Sequence, residues 1–115
     1  VRIVSTLGQR GRVVVVGRGA PFILSPDQTL RVLVVAPTTV RIANRATRDG
    51  ISEDEARRRV EADDRKRDEF VRFHFDVDQL DPTRFDLVVN TEHLDTDAAA
   101  RVVCEAFRRR FPMAA

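Results

Sequence analysis

Three short apolar runs, separated by helix-like segments, limit most strongly what this chain can fold into. Four consecutive valines occupy positions 13–16, and two further runs lie at residues 29–36 and 85–90. The first two runs predict buried strands, as in parallel sheets that are covered on both faces, and the third predicts another strand. Strands that alternate with helices form parallel sheets with right-handed crossovers. The sequence therefore predicts an α/β fold, a three-layer parallel sheet with flanking helices.

Two helices joined by a tight turn are predicted in the middle of the chain. A threonine pair offers a hydroxyl cap for a helix over residues 38–48. The Arg-Asp-Gly sequence at 48–50 predicts the turn, since glycine tolerates the left-handed conformation that ends many helices. Ser52 and Glu55 have the spacing of a capping box. They predict the start of a second, longer helix over residues 52–75.

Helices are also predicted near both ends of the chain. Residues 1–9 carry an apolar side at helical spacing, and Asp95 is placed to cap a last helix that closes with three arginines. Cys104 lies in the apolar pattern of that last helix and is predicted to be a small core residue. A single cysteine excludes a disulfide framework and fits a reducing compartment.

The charged run Asp-Asp-Arg-Lys-Arg at residues 63–67 lies within the long predicted helix. Five residues of this helix recur at helical spacing and fall on one side of the wheel: Ala56, Val60, Phe70, Val71 and His74. At about 100° per residue, Arg67 falls near the middle of that same side, with Asp63 and Asp64 at the flanks. Two interpretations remain open. The run is a solvated, salt-bridged surface, or Asp64 and Arg67, one turn apart, jointly hold an anionic ligand in a cleft.

Composition argues against several classes of partner. The 115 residues suit one domain and carry a net charge of +2, with no Trp or Tyr to stack bases. Lys66 is the sole lysine, and acidic residues interleave the arginines, so no nucleic-acid partner is expected. No apolar run is long enough to span a membrane and no signal-peptide pattern occurs, which predicts no membrane partner and a cytoplasmic location.

A glycine-arginine turn follows the first predicted strand. Gly17, Arg18 and Gly19 would lie at the carboxyl end of that strand, where open α/β sheets bind ligands. A plain turn with a surface arginine explains the same residues, and both interpretations stay open.

No metal site is predicted, because the aspartates at 76, 78 and 81 lack the central glycine and closing glutamate of a calcium loop. The phosphate-cradling pattern Gly-x-x-x-x-Gly-Lys-Ser/Thr does not occur in the 115 residues.

Taken in order, several segments resemble the cytidylate kinase-like family of P-loop nucleoside monophosphate kinases. The resemblance covers about residues 7–107 and depends on the order and spacing of four segments rather than on one motif. These segments are Val-Val-Val-Val-Gly-Arg-Gly-Ala at 13–20, the strand at 30–36 followed by Arg41 and Arg45, Asp-Arg-Lys-Arg at 64–67, and Phe-Asp-Leu-Val-Val-Asn-Thr at 85–91.

The resemblance implies transfer of a phosphoryl group from ATP to a nucleoside monophosphate such as CMP, with Mg²⁺. It implies that Arg67 and Asp64 are catalytic and that Arg41 and Arg45 bind ATP near the lid. It further implies that Arg18, with its flanking glycines Gly17 and Gly19, contacts the phosphate of the acceptor nucleotide. Residues 1–115 would then form one kinase-like domain with a lid around residues 48–52.

The sequence departs from the family pattern in two ways. Glu61 stands where stricter cytidylate kinases have an additional arginine, which leaves the acceptor nucleotide open. The first strand, the P-loop and the acceptor-binding helices of the P-loop kinase type are not among these residues. The fold is therefore expected to be incomplete at its amino end. In P-loop kinases the missing first strand lies between the two strands predicted here at residues 13–16 and 30–36. Three alternatives are a longer protein whose amino-terminal segment supplies that strand, direct pairing of these two strands, or a partner chain, such as a second copy, that fills the position.

These departures bear on activity. The 115 residues alone are expected to show no kinase activity, because they contain no cradle for the β- and γ-phosphates of ATP. An alternative function is a non-catalytic module, derived from such a kinase, that binds nucleotides or a protein. A nucleic-acid binder is a weaker alternative, which steep salt dependence of binding would reveal.

Overall fold

The computed structural model describes residues 14–16, 20–75 and 80–112. The helix predicted at residues 1–9, the turn at Gly17, Arg18 and Gly19, and residues 76–79 of the predicted loop lie outside the described residues. Within the described part, the elements in chain order are helix α1 (Ala20–Ile23), strand β1 (Val32–Val35), helix α2 (Thr38–Asp49), helix α3 (Glu53–Phe75), a 3-10 turn (Pro82–Arg84), strand β2 (Leu87–Asn90) and helix α4 (Thr96–Arg110).

Strands β1 and β2 form a two-stranded parallel sheet in which Val32 lies opposite Leu87 and Val35 opposite Asn90. The predicted parallel pairing is confirmed. Burial of the second run on both faces is wrong, because Val34 is 60% exposed. A strand is covered on both faces only where helices pack on both. In the described residues, α4 packs on β2, whereas α2 and α3 pack on each other.

The strand predicted at residues 13–16 is also not found where the structure describes it. Residues 14–16 have no regular secondary structure, and Val14 and Val16 are 93% and 85% exposed. A β-branched run becomes a strand only when a neighbouring strand accepts its backbone hydrogen bonds. In the described part of the chain, β1 pairs with β2 and these valines have no strand partner.

Helices α2 and α3 form an antiparallel hairpin around a small apolar core. Ile42, Ala56 and Val60 are buried between the two helices, with Ala46 and Ile51 packed against them. The predicted turn is confirmed. Gly50 has a φ of +64° and caps α2 by donating its backbone N–H to the carbonyl oxygen of Ala46.

The helix caps agree with the sequence in part. The Ser52 hydroxyl accepts the backbone N–H of Glu55 at 3.2 Å, which is one half of the predicted capping box. The Glu55 carboxylate accepts from Arg58 and Arg59 instead of returning to the cap. The threonine hydroxyl cap predicted for α2 is wrong, since Pro37 stands at the cap position and both threonines are inside the helix.

Helix α4 begins as predicted, with the Asp95 carboxylate accepting the backbone N–H of Ala98 at 2.8 Å. The prediction that Cys104 is a core residue is wrong, because its side chain is exposed. On the helical wheel Cys104 lies almost opposite the side shared by Ala99, Val103 and Ala106, which is the half-buried side.

No helix in the described ranges is long and apolar enough to cross a membrane.

An aromatic contact joins the hairpin to the sheet. The Phe22 ring of α1 lies 5.7 Å from the Phe75 ring at the end of α3 and 6.1 Å from the Phe85 ring just before β2. Such tilted and edge-on pairs are favourable for aromatic quadrupoles. The short α1 thus anchors the end of the long helix beside the sheet.

Candidate functional site

Two arginines of α2 face two aspartates of α3 across the hairpin. Both terminal nitrogens of Arg41 donate to the Asp64 carboxylate, at 2.9 and 2.5 Å. One turn along α2, Arg45 donates to Asp63 at 3.0 Å. The spacing of four residues puts both arginines on the face that meets α3, and adjacent positions on α3 supply the two carboxylates. The two helices are therefore joined by charge-assisted hydrogen bonds as well as by the apolar core.

Asp49 extends this contact to the turn. Its carboxylate accepts from Arg45 at 2.6 Å and from Arg48 at 3.0 Å, and it lies 3.8 Å from Arg59 of α3. The sequence predicts Asp49 only as part of a turn. Its position four residues after Arg45 was the signal that could have revealed the pair.

Arg67 lies at the edge of the same group. Its Nη1 is 3.9 Å from the Asp64 carboxylate, and its side chain is 63% exposed. We call Arg41, Arg45, Asp49, Asp63, Asp64 and Arg67 the hairpin network. All four residues that the sequence predicted as catalytic or ATP-binding belong to it. Arg18, Gly17 and Gly19 lie outside the described residues.

The exposure of Arg67 corrects its predicted place among apolar residues. Helix α2 has 12 residues and α3 has 23, so α2 covers only about half of the length of α3 at 1.5 Å per residue. Phe70 and His74, predicted on the same apolar side, are exposed as well, whereas Val71 is buried. The predicted apolar side is therefore only partly buried along the second half of α3, where Phe22 of α1 contacts Phe75.

Ion pairing favours the charged forms of Arg41, Arg45, Asp49 and Asp64. Hydrogen bonding to Arg41 lowers the pKa of the Asp64 carboxyl. Hydrogen bonds from Arg48 and Arg45 lower the pKa of Asp49. The same Asp64 contact raises the pKa of Arg41. The guanidinium groups of Arg41 and Arg45 are therefore already neutralised by carboxylates, and an anionic ligand has to compete for them.

A second ion pair joins the starts of the two strands and was not predicted. The Arg31 guanidinium donates to both oxygens of the Asp86 carboxylate, at 3.2 and 3.1 Å, and its backbone N–H donates at 2.8 Å. Both residues directly precede parallel strands, which brings them to the same edge of the sheet. This contact fixes the strand register rather than offering a ligand site, because its donors and acceptors satisfy one another.

No metal centre is formed by the residues described. In those ranges no group of three His, Cys, Asp or Glu side chains is close enough to hold an ion. The Asp63 and Asp64 carboxylates bind arginines, and Asp81 accepts from Thr83 at the 3-10 turn. The donor set does not fit Mg²⁺, which prefers several free oxygen ligands.

Comparison with known sequences identifies the family of this chain. The sequence model of the cytidylate kinase-like family matches residues 1–93. The chain belongs to the cytidylate kinase-like family. Three cytidylate kinases are similar to it. That of Methanopyrus kandleri is 34% identical over 100 residues, covering 77% of this chain and 51% of that protein. That of Sulfolobus acidocaldarius is 37% identical over 82 residues, covering 70% of this chain and 44% of that protein. That of Aeropyrum pernix is 33% identical over 106 residues, covering 90% of this chain and 60% of that protein.

The chain spans about half the length of the cytidylate kinases that it matches. A further match, at 27% identity, is to uronate isomerase of Corynebacterium glutamicum and covers 20% of that protein. So small a share of a relative carries no argument about this chain. Membership of a family of nucleotide kinases rests on the family model and on the three cytidylate kinases together.

Proposed function

We propose that this chain forms part of an ATP-dependent kinase that phosphorylates a nucleoside monophosphate such as CMP. The α2–α3 hairpin would be its arginine-bearing lid, with the turn around residues 48–52 at the tip. The observation that carries this proposal is that Arg41, Arg45, Asp64 and Arg67, which lie on two helices, meet in one network. Family membership supports the reaction class.

The chemistry of phosphoryl transfer calls for such arginines. The transferred group spreads negative charge over its oxygens, and fixed cations stabilise that charge. A guanidinium offers planar paired donors that match phosphate, which a lysine ammonium does not. Arg67 is the most accessible guanidinium of the network and would contact the transferred phosphate. Arg41 and Arg45 would contact ATP, while Arg18, between Gly17 and Gly19, would hold the acceptor phosphate.

Phosphoryl transfer from ATP would need more than these residues. The described residues hold no cluster that fits Mg²⁺, and the 115 residues contain no P-loop lysine motif. The β- and γ-phosphates would be cradled by a segment outside these 115 residues. The chain alone would then supply lid arginines without catalysing transfer.

The test is a phosphoryl-transfer assay on the product of the complete gene, with ATP and a panel of nucleoside monophosphates that includes CMP, UMP and AMP. Replacing Arg67 by Ala is expected to lower kcat about 100-fold or more, the scale of removing one donor that stabilises a developing charge. The matched control is Arg101→Ala, which removes an exposed arginine paired one turn away on α4. That control should retain full activity.

Three results would contradict the proposal. One is the absence of transfer to every nucleotide in the panel by the complete gene product. The second is an equal loss of activity in the Arg67→Ala and Arg101→Ala variants. The third is nucleotide-dependent turnover by the 115-residue chain alone, which would contradict the need for an additional phosphate-binding loop.

A further inference from the structure

The Asp64 carboxylate lies between two guanidinium groups. Its Oδ1 is 2.5 Å from Nη2 of Arg41 and 3.9 Å from Nη1 of Arg67. A point between two cations is the most favourable place for an anion, and here a side chain of the chain itself fills it. A carboxylate presents two oxygens to a guanidinium much as a phosphate does.

We propose that Asp64 is an internal competitor of the ligand phosphate: it holds Arg41 in the ligand-free hairpin and is displaced when a nucleotide phosphate binds Arg41 and Arg67. This inference rests on the proposed function, because it assumes that the hairpin binds phosphate. It goes beyond that function by giving Asp64 an inhibitory role in binding and by predicting the direction of its mutant effect.

Arg41 cannot bind a phosphate through both terminal nitrogens while Asp64 occupies them. The exchange is feasible because the contact is only partly buried, with Arg41 and Asp64 side chains 34% and 38% exposed. Water can therefore solvate the carboxylate as it leaves, which keeps the desolvation penalty of the intermediate arrangement small. A deeply buried pair would resist such an exchange.

Arg45 differs from Arg41 in a way that suits a fixed support. Two carboxylates hold it, Asp49 at 2.6 Å and Asp63 at 3.0 Å, so a ligand would have to displace both. The apolar core of Ile42, Ala56 and Val60 lies in the same hairpin. These contacts keep α2 and α3 together while Asp64 moves, so the exchange needs no opening of the hairpin.

The experiment measures binding of inorganic tripolyphosphate and of ATP to the 115-residue chain by calorimetry. Asp64→Asn keeps the size of the side chain and removes its charge. It is expected to bind both probes about tenfold more tightly than the wild type, because one like charge next to the anion is removed. Glu61→Gln makes the same charge change at an exposed position of α3 and should stay close to the wild-type affinity.

A measurement on the wild type keeps the inference testable if Asp64→Asn does not fold. On addition of tripolyphosphate, the ¹³C signal of the Asp64 carboxyl should shift, and that of Glu61 should not. Unchanged or weaker binding by a folded Asp64→Asn, or an Asp64 signal that stays in place while the probe binds, would overturn the inference.

The outcomes separate this inference from the proposed function. Tighter binding by Asp64→Asn together with no kinase activity of the complete gene product supports the competitor role and contradicts the kinase. Kinase activity of the complete gene product together with equal binding by Asp64→Asn and the wild type supports the kinase and contradicts the competitor role. No binding by either protein overturns the competitor role.

Discussion

At the scale of single residues, the identity of the cation is what makes the hairpin network possible. Lys66 is the sole lysine in the chain, and all interhelical ion pairs of the network use arginine. Arg41 holds Asp64 through two parallel hydrogen bonds, a geometry that lysine cannot reproduce. The same fork fits phosphate oxygens, so one residue type serves both the ligand-free contact and the proposed ligand contact.

Because several carboxylates are paired with arginines, the free energy of unfolding of this chain depends on pH. Arg41 lowers the pKa of Asp64, and Arg31 lowers the pKa of Asp86, from an ordinary value of 3.8. A carboxyl with a lower pKa in the folded state stabilises the fold above its unfolded-state pKa, and this stabilisation is lost as pH falls through the folded-state pKa. We expect the free energy of unfolding to fall as pH drops from about 5 towards 2.

Urea unfolding at several pH values checks this expectation. Asp64→Asn and Asp86→Asn should each flatten the dependence on pH, because each variant removes one carboxyl with a lowered pKa. A free energy of unfolding that stays constant from pH 5 to pH 2, or rises, would show that these ion pairs do not persist in solution.

At the scale of elements, the hairpin turn depends on one backbone conformation. Gly50 has a φ of +64°, and a Cβ built there would meet no atom within 4 Å. Replacing Gly50 by Ala should therefore destabilise the fold through backbone strain alone, by about 1 kcal/mol. Asparagine tolerates the left-handed conformation better than alanine. Gly50→Asn is thus the matched control and should cost less.

Thermal or urea unfolding of the two variants distinguishes strain from other causes. The expected order of stability is wild type, then Gly50→Asn, then Gly50→Ala. Equal stability of Gly50→Ala and the wild type would mean that the turn has no left-handed residue at this position. The α2–α3 contact would then have to be described differently.

A comparison of the elements with their predictions shows which features of the fold the sequence predicts. Several local signals predict their features correctly, namely the Ser52 and Asp95 caps and the Gly50 turn, whereas the threonine cap of α2 does not. Predictions of burial fail where burial depends on partners that local sequence does not encode. The valines at 14 and 16 and Val34 are exposed because burial requires neighbouring elements, and Cys104 was misplaced by reading an apolar pattern without its wheel position.

In the candidate site, too, local spacing predicts some features and the packing of the helices decides the others. The i to i+4 spacing of Arg41 and Arg45 and the one-turn spacing of Asp64 and Arg67 each placed two residues on one face of a helix. That the two faces meet, and that Asp49 and Asp63 join them, depends on how α2 packs on α3. The Arg31–Asp86 contact joins positions that are distant in sequence, so it becomes visible only once the strand register is known.

At the scale of the whole molecule, the described elements pack in two groups. One is the α2–α3 hairpin with its ion pairs, and the other is the β1–β2 sheet with α4 against it. Apolar side chains at Val34, Val88 and Phe73 remain exposed in the described residues. The matched region spans about half the length of the cytidylate kinases that are similar to this chain. We propose that the chain binds phosphate through the arginines of the α2–α3 hairpin.

Nuclear magnetic resonance mapping of ATP binding tests that account most directly. The 115-residue chain is titrated with ATP while backbone amide and arginine Nε–Hε signals are followed. We predict that the largest shifts occur at Arg41 and Arg67, with smaller changes at Arg45 and along α2 and α3. Shifts confined to the arginines of α4, at Arg101 and residues 108–110, would contradict the claim that the hairpin is the phosphate-binding element. So would a titration that moves no arginine signal.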